Sequence, residues 1–304
     1  MAFREGYQKQ VQLLVRALPY VAEEKDFALK GGTAINLFVR NFPRLSVDID
    51  LTFLPVLPRA GSIAAVNAGM ERIAQRLRTS IAGAHVHEHK TSEGILTRLV
   101  VRQNGVQIKI EINPVMRGSV YDPVVMRVAE KVEAAFGYAE VKVVSQADLY
   151  AGKLMAALDR QHPRDLFDVR ELLASEGISD ELRRAFIVYL ISHDRPMAEV
   201  LRANLKEIAN EYERGFAGMT QEDVPLEALL AARQQMIGAI IDEMPADHRA
   251  FLISFERGTP DWSLLGLPAA RDLPAVKWRQ LNLDKLTEDK RSALVAQLEE
   301  VLGG

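Results

Sequence analysis

Two aspartates two residues apart, in Val47-Asp48-Ile49-Asp50-Leu51-Thr52-Phe53, carry the clearest chemical signal in this chain. Apolar and polar residues alternate through the run, which predicts a half-buried strand with its odd positions in the core. Both carboxylates then leave the other face side by side. Like charges so placed repel unless something positive lies between them. A hard divalent cation answers that need, and Mg²⁺ takes one or two carboxylates together with the phosphate oxygens of a substrate. A lone Asp-x-Asp is most often a solvated strand face, so its neighbours decide.

Gly31-Gly32-Thr33 ends fifteen residues before Asp48. Glycines let a backbone approach a phosphate closely, a helix start offers unpaired N–H groups to an anion, and Thr33 adds a hydroxyl. A Gly-Gly turn alone is an ordinary turn, and no P-loop pattern occurs. Glu111 supplies a third carboxylate from a later run. Two metals bridged by strand carboxylates would stabilise both oxygens of an in-line displacement, and the third acid could help deprotonate an attacking hydroxyl. Lys109, on the same face, reads either as a phosphate contact or as half of a surface Lys–Glu pair.

The elements that must position these residues follow from periodicity. Val11, Leu14, Val15, Leu18 and Val21 predict a helix over about residues 4–24. The apolar run from Phe27 stops at the two glycines, and Thr33 to Arg40 resumes a helical pattern, so the glycines occupy a strand-to-helix junction. Residues 62–81 read as helix. Strands Thr97–Arg102 and Val106–Ile112 are joined at Asn104-Gly105, a hairpin signal. The second alternates, with Gln107, Lys109 and Glu111 outward. Ser145 opens a helix carrying Lys153, which His162-Pro163 breaks before Arg164 begins another. Amphipathic helices follow from about residue 180, interrupted by a Pro/Gly-punctuated stretch near 257–274, with a last helix from about 285.

Composition narrows the class. Apolar residues make up 48% of 304, enough for a substantial core, and a net charge of -3 predicts that any nucleic-acid contact must come from a local basic surface. With no cysteine there is neither a disulfide framework nor a thiolate metal site. Neither a signal peptide nor an apolar stretch of about eighteen residues is present, so the expectation is a cytoplasmic protein off the membrane.

The order of these pieces resembles the polymerase-β-like nucleotidyltransferase superfamily: a glycine turn opening a helix, an aspartate pair on the next strand, a third acid later. Within it the chain is similar to the AbiEii/AbiGii toxin family, which includes the MenT toxins. The residues that carry the resemblance are Lys30-Gly31-Gly32-Thr33-Ala34, then Arg44-x-Ser46-x-Asp48-Ile49-Asp50-Leu51, Lys153-Leu154, and the run from Arg160 to Asp168, RQHPRDLFD. They span about residues 30–170, and no motif is matched beyond about 180.

The resemblance implies an α+β fold, a mixed-sheet nucleotidyltransferase core flanked by helices and followed by a mostly helical region, divided as residues 1–180 and 181–304. It implies transfer of a nucleoside monophosphate from an NTP, with Mg²⁺ (or Mn²⁺) on Asp48, Asp50 and Glu111. Lys153 would neutralise the leaving phosphates, and Asp165 would orient Lys153 or a substrate hydroxyl. Gly31, Gly32, Thr33, Arg44 and Ser46 would contact the nucleotide, and Arg160 and Arg164 the triphosphate or an RNA backbone. Asp168 instead suits the helix N-terminus, and a plain Asp–Arg surface network is the competing account of these four. The implied acceptor is RNA, the 3′ end of tRNA, and the implied partner an antitoxin; no DNA is expected. A small-molecule or protein hydroxyl is the alternative acceptor, and a non-catalytic binding module the alternative class.

His85, His87 and His89 alternate in HVHEH and would share one strand face. Such a set can bind Zn²⁺, but Glu88 would face away, and a polar sheet face is the preferred reading. Trp262 and Trp278 are expected to pack rather than to stack on bases.

Overall fold

A computed structural model describes residues 5–202 and 204–303. The chain forms two compact units. One runs to Ser145 and takes in Ala217–Asp223; the other comprises Gln146–Phe216 and the chain from Val224 onward.

The first unit contains, in order, α1 (Glu5–Ala22), β1 (Phe27–Lys30), α2 (Gly31–Ala34), β2 (Asp48–Phe53), α3 (Arg59–Ser80), β3 (His85–Lys90), β4 (Leu96–Gln103), β5 (Val106–Ile112), β6 (Val124–Arg127), α4 (Glu130–Phe136) and β7 (Glu140–Val143). The seven strands form one mixed sheet in the order β3-β4-β5-β2-β1-β7-β6. β2 lies parallel to β5 and antiparallel to β1. Helices α1 and α3 pack on the face that carries Leu51, Leu99, Val101, Ile108 and Ile110, all buried. Alternation therefore sends Asp48, Asp50, Lys109 and Glu111 to the opposite face. The β4–β5 turn has Asn104 at φ 48° and Gly105 at φ 77°, the two positive values that a tight type I′ hairpin requires.

The second unit is helical. It holds α5 (Gln146–Asp159), α6 (Pro163–Ser175), α7 (Asp180–Ile191), α8 (Met197–Leu201), α9 (Ala209–Gly215), α10 (Leu226–Ile237), α11 (Ala246–Glu256), α12 (Trp262–Leu265), α13 (Pro274–Asp284) and α14 (Glu288–Val301). Helix α5 packs on α7 and α6 on α10. The helices of Lys153 and Asp165, grouped by sequence with the sheet, thus lie in the helical unit, because their buried faces meet those of the helices beyond residue 180. His162 caps α6, its Nδ1 accepting from the Arg164 N–H at 3.1 Å, and Pro163 takes the first position, where no N–H is needed. Trp262 packs on Phe251 at 5.0 Å, whereas Trp278 is 46% exposed, against the expectation that both pack. The α+β class, with a mixed sheet and a helical C-terminal part, is as the sequence predicts.

Candidate active site

The site of the first unit is built where β1 ends. Gly31 follows Lys30 with φ 76°, a conformation natural to glycine, and turns the chain straight into α2. The turn is pressed against side chains. A Cβ at Gly31 would collide with the Asp50 carboxylate, and one at Gly32 would lie 2.9 Å from Arg44 Nη2 and 3.0 Å from Ser46 Oγ. The helical path continues through a π-helical turn over Ile35–Val39, with Asn36 Nδ2 donating to the Gly32 carbonyl at 2.9 Å.

Thr33 is completely buried. Its Oγ lies 2.5 Å from the Asp48 carbonyl oxygen and 3.0 Å from Ser46 Oγ. The carbonyl can only accept, so the one hydroxyl proton of Thr33 goes there and Ser46 supplies the second bond. The hydroxyl expected at a phosphate instead fastens the first residue of β2 to the glycine turn. Arg44 is also buried, with Nη1 donating to the Leu45 carbonyl at 2.8 Å. Its segment is held by a short antiparallel bridge to Thr220, where the Leu45 N–H meets the Met219 carbonyl at 2.9 Å and the Gln221 N–H meets the Pro43 carbonyl at 2.9 Å.

Strand register aligns four charges in one row. Lys30 on β1 is opposite Asp50 on β2, Asp50 beside Glu111 on β5, and Glu111 opposite Arg98 on β4. The signs run plus, minus, minus, plus, so each acid has a cation on its outer side. Arg98 Nε donates to Glu111 Oε1 in a close ion pair. One step along β2, Asp48 lies 4.0 Å from Lys109 Nζ. Burial lowers the Lys30 ammonium below its ordinary value, and the Asp50 charge opposes that shift. A pocket of about 460 Å³ opens along the row, lined by Lys30, Asp50, Thr97, Arg98, Glu111 and Asn113. Lys30 and Arg98 were absent from the sequence-derived site. Strand register is what places them beside the acids, although Lys30 already stood at the end of the apolar run before the glycines.

Among the described residues, no three His, Cys, Asp or Glu side chains lie close enough together to enclose a metal ion. Asp48 and Asp50 are same-face carboxylates on one strand, the type of oxygen donor that a hard divalent cation takes. Glu111, the third expected ligand, is next to Asp50 but engaged by Arg98.

In the second unit, Lys153 on α5 is buried between two acids of α6, its Nζ 2.8 Å from Asp165 Oδ1 and 3.0 Å from Asp168 Oδ2. Arg160 Nη2 reaches the other Asp165 oxygen at 3.0 Å. The structure brings the expected Lys153, Asp165 and Arg160 together, with Asp165 on Lys153, and adds Asp168, which pairs with Lys153 where a helix N-terminal role was expected. Arg164 stands half-buried at the start of α6. The three histidines are exposed along β3.

Comparisons with known proteins bear on the family and the fold. The family described as "Nucleotidyl transferase AbiEii toxin, Type IV TA system" matches residues 12–278. Among solved structures, MenT4, a nucleotidyltransferase toxin from Mycobacterium tuberculosis H37Rv, is similar in fold, with a TM-score of 0.62 at 15% identity over 97% of this chain and 95% of that one. No curated protein matches the sequence.

Proposed function

Because the chain belongs to the AbiEii family of nucleotidyltransferase toxins of type IV toxin–antitoxin systems, we propose that it moves a nucleoside monophosphate from an NTP to a hydroxyl of an RNA acceptor, the 3′ end of tRNA. The observation that carries this reading is the pair of carboxylates, Asp48 and Asp50, side by side on β2 with the glycine turn closed against Asp50. Two such acids and a close-approaching backbone are what a triphosphate needs for in-line displacement.

Asp48 and Asp50 would hold Mg²⁺ (or Mn²⁺), which when bound supplies charge neutralisation to the phosphate oxygens. Gly31 and Gly32 let the turn close on Asp50, Arg44 and Ser46, and their backbone N–H groups would meet the triphosphate. Lys30 and Arg98 hold Asp50 and Glu111 in place at the ends of the charge row. Glu111 accepts the proton of the attacking hydroxyl once its carboxylate leaves Arg98. For the second unit we assign Lys153, fixed by Asp165 and Asp168, as a phosphate-binding cation, with Arg160 and Arg164 as further anion contacts. Thr33, Arg44 and Ser46 support the turn from below. A type IV system implies a cognate antitoxin as partner. No helix is long and apolar enough to cross a membrane among the described residues, and we assign the activity to the cytoplasm.

The test is labelling of total tRNA by purified protein with Mg²⁺ and each labelled NTP in turn. Labelling of the RNA is expected from the natural chain and none from Asp48→Ala. Persistence in the variant would show that the metal pair is assigned wrongly. Intact NTP binding without labelled RNA would move the acceptor to a small molecule or a protein.

A further inference from the structure

The row that passes through Asp50 and Glu111 does not stop at Arg98. Arg98 is opposite His89 on β3, and the next rows place His87 beyond Lys109 and His85 beyond Arg102. His85, His87, His89, Arg98 and Arg102 are exposed and Lys109 half-exposed. Six basic or imidazole side chains therefore share the face of β3, β4 and β5 with one carboxylate, Glu111. The acid of β3, Glu88, lies on the other face in an ion pair with Arg78. In a chain of net charge -3 this is a local reversal of sign, and it begins next to the acid pair.

Two ordinary accounts explain less. Charges on an edge strand discourage edge-to-edge pairing, but Arg102 and Lys109 lie one and two strands in from β3. A zinc site needs at least three ligands within reach of one ion, and no such group occurs among the described residues. Neighbouring strands are about 4.8 Å apart, so β3 lies about 14 Å from β2. That is about four stacked nucleotides at roughly 3.4 Å per step of one strand. Imidazole and guanidinium groups both donate hydrogen bonds, and phosphate oxygens are their natural acceptors.

We propose that this face of β3–β5 is the docking surface for the acceptor strand. Arg102, Lys109 and the three histidines lie on the phosphates of the last few nucleotides before the attacking hydroxyl. The proposal rests on the RNA reading above. It adds where the strand runs: across the sheet, from the β3 edge towards Asp48 and Asp50.

The experiment uses the full chain and the double variant His87→Glu/Arg102→Glu, with fluorescein-labelled total tRNA titrated over a salt series. We expect the variant to bind tRNA at least about tenfold more weakly, with a salt slope smaller by about 0.7 for each lost contact, while NTP affinity is unchanged. His87→Gln/Arg102→Gln gives a smaller loss in the same direction and serves if charge reversal unfolds the strand pair. Wild-type affinity and slope in the variants, with wild-type protein still labelling tRNA, would overturn the docking surface and leave the RNA reading standing. Loss of antitoxin binding with tRNA affinity intact would also overturn it, by assigning the face to a protein. If the natural chain neither binds nor labels RNA, the RNA reading fails and this inference with it.

Discussion

Gly31 and Asp50 are in contact: the space a Cβ would need at Gly31 is filled by the Asp50 carboxylate. The glycine is thus required twice, by its φ of 76° and by the acid beside it. Gly31→Ala should reduce nucleotidyl transfer by about a hundredfold, the scale of a misplaced reacting group. Gly61→Ala, in α3 with nothing within 4 Å of the added carbon, should leave transfer unchanged and stabilise the fold by about 0.5–1 kcal/mol. Transfer rates and chemical denaturation of both variants check this.

Thr33 ties the start of β2 to the glycine turn. Thr33→Val leaves the Asp48 carbonyl without its hydroxyl donor and should cost about 1–3 kcal/mol, whereas Thr33→Ser should restore most of it. A direct phosphate role predicts a raised KM for NTP with full stability. The urea midpoint and the KM of the two variants separate these outcomes.

Lys153 sits between two buried acids. Lys153→Met removes the cation shared by Asp165 and Asp168, leaving Arg160 on Asp165, and should destabilise the helical unit by about 3–5 kcal/mol. Adding Asp168→Asn to that variant should recover part of the loss, since one fewer buried acid has then lost the ammonium. Additive losses in the double variant, read from unfolding curves, would contradict a coupled cluster.

Glu24 predicts an acid dependence. Burial alone would raise its carboxyl, but the hydrogen bonds from Arg72 at 2.9 and 2.6 Å and from Arg76 at 2.6 Å outweigh burial and lower it below 4.5. A carboxyl depressed in the fold contributes stability above its unfolded value, and that contribution is lost as pH falls through the folded one. Unfolding free energy should therefore drop below about pH 4.5 more steeply in the natural chain than in Glu24→Gln. Parallel profiles for the two proteins would refute the assignment.

Much of the site could be read from the chain because alternation and turn chemistry are local. Asp48 and Asp50 share a face by period alone, Asn104-Gly105 announces its hairpin, and Pro163 fixes where α6 begins. What sequence could not supply was register. Lys30 and Arg98 join the acids only because β1 lies antiparallel to β2, and β5 parallel to it. Thr33 was expected at a phosphate because a hydroxyl after glycines suits one; its complete burial depends on Ser46 and Asp48 folding over it. The division of the chain was equally invisible, since α5 and α6 carry motif residues yet bury their faces among later helices.

The bridge between Arg44 and Thr220 has a consequence in time. A ribosome releases the chain from its N-terminus, and segments fold as they emerge. The loop that carries Arg44 beneath the glycine turn must wait for Met219–Gln221, which follow α9. The acid-bearing sheet is therefore made early but finished late. A nascent toxin lacks its completed turn until synthesis has passed Gln221, well after the last strand of the sheet has emerged.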